Sequence, residues 1–439
     1  MSVYRFALAA AACCLLPTIA HADISAGELD AAMMTIEPKI IEWRRDFHSH
    51  PELGNHEVRT ADIVAKKLRS LGIEVKTGIG VTGVAGLLRG GLPGPTIGLR
   101  ADMDALPVTE QVDVPFKSTA TAEYRGEKVG VMHACGHDAH VAMLLATAEI
   151  LAGKRKQLKG QVLFIFQPAE EGPPEGERGG AVLMLDEGLY DIAKPEAVFG
   201  LHVIASLPTG VIGYRSGPMM AASDRFSIQV KGRQTHGSRP WGGIDPIVVS
   251  AQIVTALQTI VSRQIDITSI PSVVTVGAIK GGIRYNIIPD SVDMVGTIRT
   301  FDKGVRADII ERMQRTVTNV AEASGATATL KVDEPGIPPV INTPELTARM
   351  LPTLERVVGK DKVRMIALQT TAEDFSYYGQ HIPSLFFWVG ITPPGKDPET
   401  VAFNHSPLFY VDEDGMAPGV RAMLAVATDY LQNAQVQPH

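Results

Sequence analysis

Apolar positions along the chain follow two rhythms. Near-continuous apolar runs occupy residues 96–99, 161–166, 197–201 and 384–389. Such runs read as strands buried on both faces. Between them the spacing lengthens to that of a helix. Leu29, Met33, Ile36, Ile40, Trp43 and Phe47 predict a helix over 28–47. Further helices are predicted over 60–71, stopped by Gly72, and over 141–151. Residues 73–76 and 84–88 read as strands separated by glycine turns. Buried strands alternating with helices predict an α/β fold, a mostly parallel sheet covered by helices.

The middle of the chain changes pattern. Residues 224–231 alternate as a half-exposed strand does, and a helix is predicted over 246–265. Strands over 272–279 and 287–299, a helix over 303–324 and a last strand over 326–332 complete a βαββαβ order. That order folds as a ferredoxin-like antiparallel sheet with two helices on one face. We therefore expect an inserted domain over 216–332, inside a discontinuous catalytic domain made of 23–215 and 333–439.

Length agrees, since 439 residues exceed what one core usually serves. Hydrophobic residues make up 45% and charged residues 20%, ordinary proportions for a globular enzyme. The net charge is −7 and no basic run occurs, which argues against nucleic acid as a partner. The first residues differ from the rest. Arg5 precedes an apolar stretch over 6–16, and Ala20-His21-Ala22 fits a small-x-small cleavage site. This reads as a signal peptide over 1–22, with a mature chain from Asp23 in the periplasm or outside the cell. Cleavage removes one arginine and no acid, taking the net charge from −7 to −8. No later segment is expected to be long and apolar enough to cross a membrane, so no membrane partner is expected. Cleavage also removes Cys13 and Cys14 and leaves Cys135 alone, with no internal disulfide. The tail from Asn433 is expected to be disordered.

The densest chemistry lies at His133-Ala134-Cys135-Gly136-His137-Asp138-Ala139-His140. Thiolate and imidazole together suit zinc and its transition-metal neighbours. Cys135 and His137 would leave one face of an extended segment, with Gly136 allowing a tight bend. Three strand runs lead into acids or histidine: Asp102 and Asp104, Glu170 and Glu171, and His202. In parallel sheets, ligands gather beyond the carboxyl ends of the strands. The adjacent acids Glu170 and Glu171 repel when ionised and close, and a cation relieves that repulsion. Each feature has a plain alternative. Asp102 and Asp104 could build a turn, the glutamates a solvated loop, and His202 could be a satisfied core residue. Likewise, His405 stands in a polar turn, and Glu373-Asp374 resembles the acidic first turn of a capped helix.

Taken together, these stretches resemble the aminoacylase/carboxypeptidase family of two-metal metallopeptidases. The branch is similar to hippurate hydrolases, bacterial N-acyl-amino-acid amidohydrolases and plant auxin-conjugate amidohydrolases. The resemblance runs from Arg44-Arg45-Asp46-Phe47-His48 and Pro51-Glu52 through Arg100-Ala101-Asp102-Met103-Asp104-Ala105-Leu106-Pro107 and the Cys135/His137 cluster. It continues through residues 167–172, Gly200-Leu201-His202-Val203, Thr235-His236, residues 286–289, Thr371-Ala372-Glu373-Asp374-Phe375 and Asn404-His405-Ser406-Pro407.

The resemblance implies that Cys135, His137, Glu171, His202 and His405 hold two divalent metal ions, zinc or manganese. It implies Glu170 as general base and Asn286 as a substrate-binding residue. His236 would stabilise the oxyanion in the partner subunit's site of a homodimer, with the inserted domain as lid and dimer surface. Arg284, just before Tyr285-Asn286, departs from the pattern expected there. The implied reaction is hydrolysis of an N-acyl amino acid, the acyl group aromatic in part of the branch, to a carboxylic acid and a free amino acid. The alternatives are a metallocarboxypeptidase or dipeptidase on short peptides, a cysteine hydrolase using Cys135, and a periplasmic binding protein holding a structural metal.

Overall fold

The computed structural model describes residues 23–433. The expected signal peptide and the end of the tail, 434–439, lie outside the described residues. The longer helices are α1 (Ala26–Ser49), α2 (Val58–Ser70), α3 (His137–Gly153), α4 (Pro246–Thr259), α5 (Lys303–Ala323), α6 (Pro344–Val358) and α7 (Met416–Gln432). The strands of the two main sheets are β1 (Glu74–Ile79), β2 (Gly83–Arg89), β3 (Leu92–Asp102), β4 (Lys159–Gln167), β5 (Ala197–Pro208), β6 (Ile212–Tyr214), β7 (Asp224–Lys231), β8 (Ser272–Gly281), β9 (Ser291–Thr300), β10 (Thr327–Val332), β11 (Val363–Met365) and β12 (Ser384–Thr392).

The large sheet has eight strands in the order β1-β2-β4-β3-β5-β12-β6-β11. Its centre, β4-β3-β5-β12, is parallel throughout. These are the four apolar runs read from the sequence. Their residues are almost all buried because helices cover both faces. On one face α1, α2, α3, α6 and α7 insert Met33, Ile40, Val64, Leu144, Met350 and Val420. On the other, short helices bring Ala181, Met184, Leu189 and Tyr378. Each such large apolar side chain, fully buried, contributes about 1.5–3 kcal/mol. Helix α1 begins on a capping box: Ser25 Oγ accepts from Glu28 N–H, and Glu28 Oε2 accepts from Ser25 N–H.

Residues 224–332 form a separate four-stranded antiparallel sheet in the order β8-β9-β7-β10, with α4 and α5 packed on it. Its own core contains Phe226, Ile228, Val249, Ile253, Met294 and Met313.

Three expectations need correction. The strand expected over 287–299 is two strands. Ile287–Ile288 pairs with Thr235–His236 in a small ribbon, and only Ser291–Thr300 joins the sheet. Between them Pro289 offers no N–H, and Asp290 is engaged by Gly232 N–H and Gln234 N–H. The helix expected over 246–265 is α-helical only to Thr259, then widens into one π turn over Ile260–Gln264. That same stretch, Pro246–Gln264, has 19 residues and a mean hydropathy of 1.2, so it is long and apolar enough to cross a membrane. Here it packs on the small sheet through Val249, Ile253, Leu257 and Ile260, with Ile247 and Val248 exposed.

Candidate active site and metal centre

The polar groups expected at the strand ends do converge. Strand β3 delivers Asp102 at its last position and Asp104 just beyond it. After β4 the chain turns sharply at Ala169, whose φ of +49° is left-handed, and presents Glu170 and Glu171. His202 departs from expectation. It lies inside β5, paired with Trp388, because β5 continues to Pro208. Cys135 and His137 do not share an extended face either. Gly136 between them adopts φ +90° as the N-cap of α3, so His137 is the first helical residue. A Cβ on Gly136 would lie 2.3 Å from Val203 Cγ2, so only glycine fits there.

Two groups of donors share Cys135: Cys135, His137 and His202 in one, Cys135, Glu171 and His405 in the other. In each the donor atoms lie within 4.8 Å of one another. Cys135 Sγ is 3.3 Å from His202 Nε2 and 3.3 Å from His405 Nε2, and His405 Nε2 is 2.9 Å from Glu171 Oε1. A third group, His137, Glu170 and Glu171, joins the two. Cys135, His137 and His202 are buried, whereas His405 is exposed and opens the site to solvent.

The supports of this cluster are as informative as its members. Asp104 Oδ1 is 3.2 Å from His137 Nδ1, and Asp104 Oδ2 accepts Glu171 N–H at 2.9 Å. His202 Nδ1 lies 2.7 Å from Val203 O, which leaves Nε2 facing the sulfur. Such second contacts fix ring orientation at metal centres. Asn404, which sequence reasoning singled out only as a neighbour of His405, holds the loop together. Its Nδ2 donates to Cys135 O and Val203 O, and its Oδ1 accepts Ala205 N–H. His405 itself has φ +73°, with its N–H bonded to Ala134 O.

Three other residues of the 133–140 stretch stand outside these groups, though His140, with Asp102, has a donor atom within 4.8 Å of His137. His140 lies 2.6 Å from Asp102 and accepts Val203 N–H. Asp138 pairs with Arg44 at 2.9 Å and His48 at 2.8 Å. His133 is buried with both ring nitrogens unpartnered, and burial pushes it down to about 4.

Glu373 and Asp374 are not simply the start of a capped helix. Glu373 Oε1 does accept Phe375 N–H, but both acids are buried against Arg100. The Arg100 guanidinium donates to Asp102 at 2.6 Å, Glu373 at 2.9 Å, Asp374 at 3.1 Å and Gln167 at 2.9 Å. Glu170 stands beside this cluster, with Oε1 at 3.4 Å from Asp374 N. One buried cation thus faces several carboxylates. Desolvation, Glu373 and Glu171 hold Glu170 well above the usual carboxylate range. Burial pushes Glu171 up as well, but His405, His137 and Cys135 outweigh it and hold it below its ordinary value. Burial and the two glutamates push the Cys135 thiol well up. Burial pushes His137 down, but Asp102, Asp104 and Glu171 raise it to about 10.

These residues fit divalent ions. One sulfur, three imidazoles and a carboxylate are the donor types of a zinc-like centre. His137 Nε2 is buried and has no hydrogen-bond partner, and its lone pair is one that a cation would satisfy. The excess of buried negative charge calls for positive charge at that place.

The other two residues implied to act lie together but elsewhere. His236 and Asn286 sit on the small ribbon of residues 224–332, where Gly237 N–H donates to Asn286 O at 2.8 Å. His236 is exposed, and among the described residues its side chain bonds only Ser238, through Nδ1. Asn286 Oδ1 is enclosed and has no partner. Among the described residues, neither side chain touches the donor cluster of its own chain.

Comparison with known proteins gives the family of the chain. Residues 98–429 match the model of peptidase family M20/M25/M40. The chain is 43% identical over 397 residues to thermostable carboxypeptidase 2 of Saccharolobus solfataricus, covering 89% of this chain and 95% of that one. It is 37% identical to the N-acetyl-L-cysteine deacetylase of Bacillus subtilis, covering 87% of this chain and 85% of that one. It also superposes with a TM-score of 0.75 on a Bacillus subtilis crystal structure described as a dinuclear metal binding peptidase from the M20 family. There the identity is 33%, covering 91% of this chain and all of that one. The chain belongs to peptidase family M20/M25/M40, as a metal-dependent hydrolase of amide bonds.

Proposed function

We propose that this enzyme hydrolyses the amide bond of N-acyl amino acids, releasing a carboxylic acid and a free amino acid. The carrying observation is the Glu170–Glu171 pair, one carboxylate among the sulfur and imidazole donors and the other beside them. Cys135, His137, Glu171, His202 and His405 would hold two divalent ions, zinc or manganese. Bound there, the ions would polarise the scissile carbonyl and lower the pKa of water toward about 7. Glu170 carries the proton traffic. Its carboxylate accepts a proton from the attacking water and returns it to the leaving amine nitrogen, a role its elevated proton affinity suits. His405, exposed at the mouth, lies on the path of entry.

We assign residues 216–332 the part of lid and dimer surface. The reading is supported by the separation of His236 and Asn286 from the cluster of their own chain. It is also supported by the edge strand β8 and the exposed apolar face of α4, where Ile247 is 43% and Val248 53% exposed. In a homodimer, His236 would donate through Nε2 to the oxyanion of the partner's substrate, and Asn286 would bind that substrate. We also propose export, with residues 1–22 as a cleaved leader. N-terminal sequencing of the protein from fractionated cells tests this, and a chain still starting at Met1 in the cytosol refutes it.

The activity is tested on a panel of N-acetyl- and N-benzoyl-amino acids. Turnover should vanish on exhaustive chelation and return with added zinc or manganese. Activity that resists chelation but falls on thiol alkylation would point to Cys135 as a nucleophile instead. A second reading, removal of the last residue of short peptides, is favoured by the archaeal relative named a carboxypeptidase. Higher kcat/KM on dipeptides than on any N-acyl amino acid would select it.

A further inference from the structure

The turn that carries Glu170 is gripped at both flanking amides. Glu171 N–H donates to Asp104 Oδ2 at 2.9 Å, and Ala169 N–H donates to Glu57 Oε1 at 2.8 Å. Between those anchors Ala169 is left-handed, at φ +49°. For a residue with a Cβ this is strained and persists only where the surroundings over-determine it.

Glu57 is an unusual residue. It stands at the N-cap of α2, where a side chain normally bonds the first free amides of its own helix. Its side chain makes no such bond. The carboxylate of Glu52 does so instead, accepting Arg59 N–H and Thr60 N–H at 2.9 Å each. Glu57 is thereby free to turn inward. It is 0% exposed, and among the described residues its side chain bonds Ala169 N–H and, at 2.5 Å, the Thr82 hydroxyl. Among the described residues it joins no ion pair. Burying a carboxyl group without a counter-charge is costly, so its retention calls for a reason. The space around Ala169 is equally tight. A Cβ on Gly54 would come 3.2 Å from Ala169 Cα, and one on Gly179 would come 3.1 Å from Ala169 Cβ.

We propose that Glu57, steadied by Thr82, is a positioning residue for Glu170. By holding the Ala169 amide, it fixes the left-handed turn that aims the Glu170 carboxylate at the substrate. Glu57 touches no reacting atom and acts only through the backbone. The inference rests on the reading of Glu170 as the base. It concerns kcat and leaves substrate and metal binding alone.

The test is a set of variants in the metal-loaded enzyme, read as kcat, KM, bound-metal stoichiometry and Tm. Glu57→Ala should lower kcat by roughly 10–100-fold, since a misplacement near 1 Å costs on the order of 10². KM and metal content should stay at the parent values. Glu57→Gln keeps a carbonyl oxygen for Ala169 N–H and an amide for Thr82, so it should recover most of kcat. Thr82→Val should give a smaller drop in kcat and carries the test if Glu57→Ala does not fold. In the Glu170→Gln background, Glu57→Ala should cost nothing further, because both act through one group.

An unchanged kcat in Glu57→Ala, or in Thr82→Val when Glu57→Ala fails to fold, overturns the proposal. So does a loss carried by KM or metal content, a Glu57→Gln as slow as Glu57→Ala, or penalties that multiply in the double variant. Full turnover in Glu170→Gln overturns the base reading and this inference together. A slow Glu170→Gln beside a fully active Glu57→Ala overturns the role of Glu57 alone.

Discussion

Arg100 and His236 mark two polar regions built in opposite ways. Arg100 is fully buried, and its guanidinium is saturated by Asp102, Glu373, Asp374 and Gln167. It ties β3, β4 and the loop before Ser376–Gly379 into one block beneath the donor cluster. His236 is exposed on a two-residue strand, and its side chain bonds Ser238 two positions away. The first region is finished within the chain. The second offers a free ring nitrogen and, beside it, an Asn286 oxygen with no partner. The carboxylate proposed to move a proton sits beside a block of buried, mutually bonded side chains. Groups proposed to read a substrate sit on an exposed ribbon.

The sharpest way to break this contrast is at Glu170. Glu170→Gln should lose turnover by roughly 10²–10⁴-fold while its bound metal, measured by elemental analysis, stays at the parent level. Loss of metal with turnover would move Glu170 from base to ligand.

Next in size is Arg100→Met. Removing the guanidinium leaves three carboxylates buried without their counter-charge. Breaking such an arrangement costs about 3–5 kcal/mol, which urea unfolding would read directly. A variant as stable as the parent would mean the cluster is not a rigid block, and the contrast with the ribbon would dissolve.

His236→Ala should leave folding and metal content intact and lower kcat by roughly 10²–10³-fold, the usual effect of losing one oxyanion donor. Mixing His236→Ala chains with Glu170→Gln chains tests the direction of the contact. In a symmetric dimer that exchanges subunits, about a quarter of parental activity should return, because each mixed dimer then holds one complete site. No recovery would place His236 in the site of its own chain.

The contrast also explains what the sequence made legible. The block was readable because its chemistry follows buried strands: Asp102 ends β3, and Glu170-Glu171 follow β4. His202 was identified by its motif, yet its place inside β5 was hidden, since an apolar run does not reveal where pairing stops. The ribbon was not readable from periodicity at all. Strands of two residues leave no pattern, and Pro289 was absorbed into one long strand. The specific roles of His236 and Asn286 come only through resemblance. Glu57 escaped notice because an acid before a helix reads as a cap, and nothing in the sequence says that Glu52 has taken that work.

The smallest effect is a pH dependence confined to the buried side. His48, on α1, is 2% exposed and meets Asp138 at 2.8 Å and Glu110 at 3.1 Å. Burial pushes its pKa down, but Asp138 and then Glu110 outweigh it, so the folded value is raised above the ordinary 6.5. A histidine that gains proton affinity on folding stabilises the fold most below its unfolded pKa. That contribution disappears as pH rises through the folded value. The stability difference between the parent and His48→Gln should therefore be largest below pH 6.5 and shrink as the pH climbs beyond it. Chemical unfolding at a series of pH values measures it. A difference that grows with pH would mean that His48 is held neutral between its two acids, and that the block stores its charge elsewhere.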